Sequence, residues 1–329
     1  MILRILKSNQ PVNFILFPII GLLFWGESLL RPHLYPFFLG ENENLLYFPI
    51  DNFLKNSAFF QSAASLILLI ILALMVQQIN SRYTFIRIRT MLPAPLFVVM
   101  IGGLTEMHTL HPIYFAAVFL LLAIYRLFSM FDKPKPYSVA FDSGFLLGMG
   151  SLFYFNLFML IPAFLIGITV LTRDYRWREF VVMIIGFLLP LFFAFSFAIL
   201  TEHFMELLHT FESSIITANN HFKSNVPLHI FLGFLILLTS IGSIKIIQQY
   251  DSKKVSSRKY FTVFFLIFIF SVFSFILIPA TSQEILVILA IPVSYLISNF
   301  LVFMKSKFWG ELILTLLLGI AIFMQFVAN

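Results

Sequence analysis

The sequence contains no cysteine, which excludes disulfide bonds, structural cysteine–zinc sites and a thiol nucleophile. It is also poor in charge, because only 11% of its 329 residues are Asp, Glu, Lys or Arg. Soluble globular proteins carry roughly 25% charged residues, so this chain has too few to cover a water-facing surface. The two shortages exclude a disulfide framework and an ordinary soluble domain.

Hydrophobic residues make up 60% of the chain, and the mean hydropathy is +0.98. Phe alone accounts for 44 residues, far more than one soluble core needs but suited to helices that face lipid. The net charge of +6 and the pI near 9.5 suggest a nucleic-acid partner at first sight. The basic residues, however, lie in short loops between apolar runs, as they do in membrane proteins. We therefore predict a membrane protein with no nucleic-acid partner.

About eleven apolar runs predict membrane-spanning helices, each of which needs about 20 residues. The third run is short, and the fifth and sixth are separated only by a tight turn near Tyr154, Phe155 and Asn156. The predicted spans are residues 13–30, 57–77, 91–105, 112–130, 139–155, 157–172, 178–200, 227–247, 260–279, 284–303 and 308–327. The sequence thus predicts an all-α, polytopic transmembrane helical bundle of about 11 spans.

The basic residues orient these spans, because cytoplasmic loops collect Lys and Arg. With the N-terminus inside, 18 of the 21 basic residues fall in inner loops, and only Arg31, Lys55 and Lys223 fall outside. If residues 139–172 form two spans, the basic loops before and after them both lie on the cytoplasmic side. We therefore predict a multi-pass membrane protein with the N-terminus in the cytoplasm and the C-terminus outside.

The predicted outer face carries a different set of side chains. It holds nine of the fifteen acids and, on the face or at its edge, every histidine of the chain: His33, His108, His111, His203, His209, His221 and His229. The positive-inside rule does not require histidines to segregate. We therefore expect any chemistry to face outward.

Glu27 lies near the outer end of the first predicted span. An ionisable group at this depth is costly unless it faces a water-filled cavity or finds a partner. Two interpretations stay open. Glu27 is either a general base or amine ligand at an outer cavity, or a carboxylate at the lipid headgroups that pairs with Arg31 one turn on.

The short turn 105–112 brings Glu106, His108 and His111 close together in the sequence. A carboxylate and two imidazoles this close can ligate a metal or act as acid and base. No standard metal-ligand spacing matches, so we predict neither a metal nor a cofactor. A plain polar turn between two spans is the alternative interpretation.

The first outer loop, residues 31–56, is predicted to pack on the membrane surface, because about half of it is apolar. His33 lies at the start of this loop, in a stretch that is rich in aromatic residues and proline. Further along, Pro49 and Asp51 are typical of the first turn of a helix. We therefore expect a short interfacial helix in this loop.

A second outer segment, within residues 201–215, has the periodicity of an amphipathic helix. Its apolar residues recur at helical spacing: Phe204, Leu207, Leu208, Phe211 and Ile215. Glu206 and His209 belong to the opposite, polar stripe. That stripe either lines the mouth of a cavity or faces solvent.

The order of these parts through about residue 225 resembles that of the polyprenyl-phosphate-sugar-dependent glycosyltransferases of the GT-C superfamily. In that family an essential carboxylate sits at the outer end of the first span, and large outer loops follow the first and seventh spans. Here Glu27, the loop 31–56, the short spans from 91 to 172 and the helix 201–215 occupy those places. The resemblance is one of topology, since the acidic doublet common in the first loop of many members is absent. The whole chain also resembles small polytopic inner-membrane proteins of Bacteroidota. This likeness implies a location in the bacterial inner membrane but no activity.

The GT-C resemblance implies transfer of a sugar from a polyprenyl-phosphate carrier to an acceptor at the outer face. Glu27 would deprotonate or orient the acceptor hydroxyl. Residues of the outer loops would bind the carrier phosphate or the sugar: Glu106, His108, His111, His33, Glu206 and His209. The chain would then divide into a GT-C-like module, 1–225, with outer loops 31–56 and 201–226, and a four-helix C-terminal membrane segment, 226–329.

Two other functions are alternatives to the transferase. A non-enzymatic accessory or scaffold subunit of a cell-envelope export or assembly complex would tolerate substitution of the outer carboxylates, and other envelope membrane proteins would co-purify with it. A transporter would need ionisable groups near the bilayer midplane, and the sequence has almost none. The transferase is therefore the first hypothesis and the accessory subunit the second.

Overall fold

The computed structural model describes residues 2–7, 12–34, 44–54, 56–84, 86, 90–172, 177–216, 226–248 and 254–328. Within these ranges the chain is helical and contains no β-strand. The predicted all-α fold is confirmed.

The helices follow the apolar runs of the sequence. In chain order they are α1 Ile2–Lys7, α2 Val12–Leu30, α3 Phe48–Leu54, α4 Ala58–Tyr83, α5 Pro93–Gly102, α6 Pro112–Phe128, α7 Tyr137–Phe153, α8 Ile161–Leu171, α9 Trp177–Leu200, α10 Phe204–Ile216, α11 Val226–Gln248, α12 Val255–Leu277, α13 Leu286–Val302 and α14 Lys307–Ala328. Short 3₁₀ turns lie at Thr105–His108, Phe155–Leu160 and Gln283–Ile285.

Among the described residues, 6 helices are long and apolar enough to cross a membrane. They are α4, α9, α11, α12, α14 and α13 together with the 3₁₀ turn before it. The chain is therefore a multi-pass membrane protein. The other predicted spans fall on the shorter helices α2, α5, α6, α7 and α8, so every predicted span coincides with a helix. The number of crossings and the orientation of the termini stay predictions.

The predicted tight turn between the fifth and sixth runs is present. Helix α7 ends at Phe153, and the amide of Tyr154 donates to the carbonyl oxygen of Gly150, 3.0 Å away. The 3₁₀ turn Phe155–Leu160 then leads into α8, where a proline at the start of the helix costs no internal hydrogen bond.

Different loops lie at the two ends of the bundle. At one end, the hydroxyl of Tyr83 on α4 donates to the carbonyl oxygen of Tyr125 on α6, 2.6 Å away, and its ring lies 5.3 Å from that of Tyr260 on α12. At the opposite end, Gln325 near the end of α14 donates to the carbonyl oxygen of Phe24 on α2, 2.9 Å away. We name this second end the histidine end, because it contains the turn Thr105–His108, His111 and the start of α10.

Helix α13 lies in the middle of the bundle, and all of its residues are buried. The hydroxyl of Tyr295 donates to the carbonyl oxygen of Val76 on α4, 2.6 Å away, and its ring stacks on Phe264 of α12, with centroids 4.4 Å apart. Helix α13 also packs against α5 and α6. The predicted C-terminal segment thus supplies a core helix to the predicted first module, and the division at residue 225 stays a prediction.

Helices α7 and α9 cross closely because each helix presents a glycine to the backbone of the other. A Cβ added at Gly148 would lie 3.2 Å from the carbonyl carbon of Phe187, with the carbonyl oxygen closer still. A Cβ at Gly186 would lie 3.1 Å from the amide nitrogen of Phe145. Small residues allow two backbones to approach this closely within a membrane. The crossing fixes the position of α9, whose C-terminal end reaches the candidate site.

Candidate functional site

Helix α10 forms one wall of the candidate site. The predicted amphipathic helix is present as Phe204–Ile216, one residue longer at its C-terminal end than the predicted segment. On its apolar side, the ring centroid of Phe211 lies 4.4 Å from that of Phe155 and 5.4 Å from that of Phe195 on α9. These aromatic contacts hold α10 against the histidine end.

A sharp reversal of the chain places α10 across the end of α9. Glu202 has a left-handed backbone, with φ of 63°, and the amide of His203 donates to the carbonyl oxygen of Ala198, 2.9 Å away. A left-handed residue just beyond a helix is a common way to end it. The chain therefore turns within three residues, and α10 starts at Phe204.

Helix α3 forms the opposite wall and confirms the predicted helix in the first outer loop. It spans Phe48–Leu54 and carries Asp51 in its first turn. Just before it, the buried hydroxyl of Tyr47 donates to the carbonyl oxygen of Leu110, 2.7 Å away. Burial, with a smaller contribution from the charge of Asp51, raises the pKa of Tyr47 well above its usual range, so the hydroxyl remains a donor. This bond attaches α3 to the turn before α6.

Between α3, the end of α9 and α10 lies a cavity of about 820 Å³. Its apolar walls are Leu45, Phe48, Pro49, Phe197, Ala198, Met205 and Leu207, and its polar groups are Thr201, His203, Glu206, His209 and Thr210. Small-molecule sites usually measure roughly 300–1,000 Å³ and combine mostly apolar walls with a few polar groups. This cavity has both properties.

Two of the predicted site residues, Glu206 and His209, line this cavity with exposed side chains. His203, which the sequence analysis did not single out, lies beside them. Its Nε2 is 4.0 Å from Oε2 of Glu206, one turn along. A carboxylate between two imidazoles gives the cavity both acceptors and donors of hydrogen bonds.

His108 lies in the interior of the histidine end, and only 2% of it is exposed. Its ring stacks on Trp25, with centroids 3.9 Å apart, and its Nε2 lies 3.2 Å from the carbonyl oxygen of Gly102. Its Nδ1 lies 2.7 Å from Oγ of Ser28. Burial lowers the pKa of His108 to about 4, so the ring is neutral at physiological pH. Both ring nitrogens are engaged within the protein.

His111 is also buried, with 1% exposed, and it caps α6. Its Nδ1 accepts a hydrogen bond from the amide of Ile113, 3.1 Å away. Glu106 is half-buried in the 3₁₀ turn, whereas His33 and Glu27 are exposed. None of these residues lines the cavity that Glu206 and His209 share. The predicted site residues therefore fall into two groups at the same end of the bundle.

Glu284 is a buried carboxylate and one of the nine acids predicted for the outer face, but no role was predicted for it. It is 2% exposed, and its Oε1 accepts from the hydroxyl of Tyr154, 3.0 Å away, and from the amide of Ser282, 2.8 Å away. The sequence did carry a signal, since Glu284 is the only acid in residues 261–310. An isolated acid in an apolar stretch has a partner or a function.

One solved structure with this fold is ArnT from Cupriavidus metallidurans, in a crystal structure bound to undecaprenyl phosphate. The two structures align with a TM-score of 0.58 and 14% sequence identity, over 90% of this chain and 61% of ArnT. This chain thus spans less than two thirds of the length of ArnT. At this identity the likeness concerns the fold, and it supports the GT-C-like fold inferred from the order of spans and loops.

No curated protein sequence matches this chain. A protein-family model, in contrast, matches residues 44–328, which include every helix from α3 to α14. The chain belongs to the family described as "Family of unknown function (DUF6427)".

Proposed function

We propose that this protein is a glycosyltransferase of the bacterial inner membrane that moves a sugar from a polyprenyl-phosphate carrier to an acceptor on the outer face. The cavity of about 820 Å³ between α3 and α10 carries this proposal. It occurs in a fold similar to that of ArnT, whose crystal structure contains undecaprenyl phosphate, a polyprenyl phosphate.

The walls of the cavity suit such a carrier. Apolar side chains such as Phe48 and Phe197 provide a surface for the first prenyl units, which must leave the lipid for the sugar to reach the site. His203 and His209 are the donors to the phosphate, and Glu206 accepts from sugar hydroxyls. Since α3 and α10 are the predicted interfacial helices, the cavity opens at the level of the lipid headgroups.

Glu27 is the proposed general base. The acceptor hydroxyl oxygen forms a bond to the anomeric carbon, the bond from that carbon to the phosphate oxygen breaks, and polyprenyl phosphate leaves. Glu27 takes the proton of the acceptor hydroxyl. Glu27 does not line the cavity but is exposed at the same end of the bundle, so in this proposal the acceptor meets the sugar beside the cavity, within hydrogen-bond reach of Glu27. Glu284, in contrast, is only 2% exposed and cannot meet an acceptor hydroxyl at the surface.

The test supplies the protein in nanodiscs with undecaprenyl-phosphate-linked hexose, pentose and amino sugars as donors, and with an extract of envelope lipids and glycans as the acceptor. Turnover is measured as the undecaprenyl phosphate that is released only when the acceptor is present. The variant Glu27→Gln should lose roughly 10²- to 10⁴-fold in rate, as expected for a general base. Glu212→Gln is the matched control, because Glu212 is an exposed acid outside the cavity, as Glu27 is, but has no role in the proposed reaction. Full activity of Glu27→Gln would contradict the proposed base. No turnover of any donor by the wild type, with an envelope protein co-purifying, would favour the accessory subunit.

A further inference from the structure

Side chains that precede and follow Glu27 in the sequence attach the last turns of α2 to the rest of the bundle. Trp25, two residues before it, is fully buried, and its Nε1 donates to Oγ of Ser65 on α4, 2.9 Å away. Oγ of Ser65 lies 2.7 Å from the carbonyl oxygen of His108, to which it can donate. Ser28, the residue after Glu27, contacts the ring of the same histidine.

The hydrogen bonds of His108 have a defined direction. The carbonyl oxygen of Gly102 can only accept, so Nε2 carries the proton. The ring is neutral, and Nδ1 must then accept the hydrogen bond from the hydroxyl of Ser28. Because the ring also stacks on Trp25, one side chain holds α2 at two points, on the same face of the helix.

A third contact comes from the other end of the chain. Nε2 of Gln325 on α14 lies 2.9 Å from the carbonyl oxygen of Phe24 and 2.9 Å from that of Gly102. The carbonyl oxygen of Gly102 therefore accepts hydrogen bonds from both His108 and Gln325. A Cβ added at Gly102 would lie 2.8 Å from the ring of Phe24, so α5 and α2 are in close contact here.

We infer that this group of side chains, Trp25, Ser28, Ser65, His108 and Gln325, is a clamp that positions the carboxylate of Glu27. Successive helix residues point about 100° apart, so holding Trp25 and Ser28 inward turns Glu27 outward. His108 is thus a positioning residue for the reaction and does not touch substrate. This inference rests on the proposed function for its purpose, whereas the clamp itself can be measured without any substrate.

The absence of cysteine from the chain makes the test direct. Glu27→Cys gives a unique thiol for a nitroxide spin label, and the mobility of the label in nanodiscs reports how firmly the end of α2 is held. Ser28→Ala removes the donor to Nδ1, and His108→Phe keeps an aromatic ring on Trp25 but removes both hydrogen bonds. Both changes should increase the mobility of the label.

The control is Ser62→Ala. Ser62 is a fully buried serine on α4, one turn before Ser65, and its hydroxyl has no hydrogen-bond partner among the described residues. This variant should leave the spectrum unchanged. Equal label mobility in Ser28→Ala, His108→Phe and Ser62→Ala would overturn the clamp.

Activity separates positioning from general stability. With Glu27 in place, Ser28→Ala should lower the maximal rate about 10- to 100-fold, the cost of a small misplacement, while undecaprenyl phosphate binds with unchanged affinity. Ser28→Thr retains the hydroxyl and should restore most of the rate. If the label becomes mobile but Glu27→Gln retains full turnover, the clamp stands and the proposed function fails. If Glu27→Gln is inactive and Ser28→Ala is fully active, the positioning role fails alone.

Discussion

The crossing of α7 and α9 provides the sharpest stability prediction. Replacing Gly148 with Ala puts a methyl group 3.2 Å from the carbonyl carbon of Phe187 and 3.2 Å from the ring of Pro190, with the carbonyl oxygen of Phe187 nearer still. Carbon atoms prefer about 3.5–4.0 Å, so the helices must separate. The facing atom is backbone, which cannot rotate away as a side chain can.

The expected magnitude combines two opposing effects. Overpacking of a tight interior costs about 1–3 kcal/mol. Ala favours a helix over Gly by about 0.5–1 kcal/mol, which offsets part of that cost. The midpoints of these two ranges differ by roughly 1 kcal/mol, so we expect Gly148→Ala to lower the free energy of unfolding by roughly 1 kcal/mol, and by about 2.5 kcal/mol at most. Gly186→Ala meets backbone atoms of Phe141 and Phe145 and should behave alike.

The matched control is Gly233→Ala on α11, where an added Cβ would have nothing within 4 Å. Only the higher helix propensity of Ala over Gly acts there, so the control should be as stable as the wild type or slightly more stable. Unfolding in mixed micelles of mild detergent and SDS, followed by tryptophan fluorescence, measures both variants. Equal unfolding of Gly148→Ala and Gly233→Ala would refute the close contact.

Two further predictions follow from buried polar groups. The pKa of His108 is about 4 in the folded protein against about 6.5 unfolded, so between these values only the unfolded state binds the proton. The free energy of unfolding should therefore fall by up to about 3 kcal/mol as the pH drops from 6.5 to 4. Unfolding measured at pH 8 and at pH 5 checks this, and His108→Phe should remove this share of the difference between the two pH values. Tyr154→Phe deprives the carboxylate of Glu284 of a donor and should cost about 1–3 kcal/mol in the same assay. Tyr137→Phe, at the other end of α7, should be close to neutral, and an equal loss in both would contradict the role of Tyr154.

Local patterns in the sequence predicted the helices well. Length and hydropathy placed every predicted span on a helix, and the spacing of Phe204, Leu207 and Phe211 predicted α10. The turn at Tyr154 was predicted because the apolar stretch 141–172 is too long for one span. Each of these features depends on residues within one turn or one span of each other, which a sequence displays directly.

Contacts between distant parts of the chain could not be predicted in this way. The sequence shows two histidines in a polar turn, but not that His108 folds inward onto Ser28, 80 residues earlier. Tyr154 and Glu284 meet across 130 residues. The cavity likewise joins α3 to α10, and no local pattern indicates that two interfacial helices become neighbours.

The central claim is that the cavity between α3 and α10 binds a polyprenyl phosphate, and filling the cavity tests it most directly. Thr201 and Thr315 are exposed threonines whose hydroxyls both donate to the carbonyl four residues back, over 2.9 Å and 3.0 Å, but only Thr201 lines the cavity. Native mass spectrometry should show saturable binding of undecaprenyl phosphate to the wild type and to Thr315→Trp. Thr201→Trp should bind at least about tenfold more weakly, a loss of about 1.4 kcal/mol. Wild-type affinity in Thr201→Trp, or no saturable binding by the wild type, would contradict the claim.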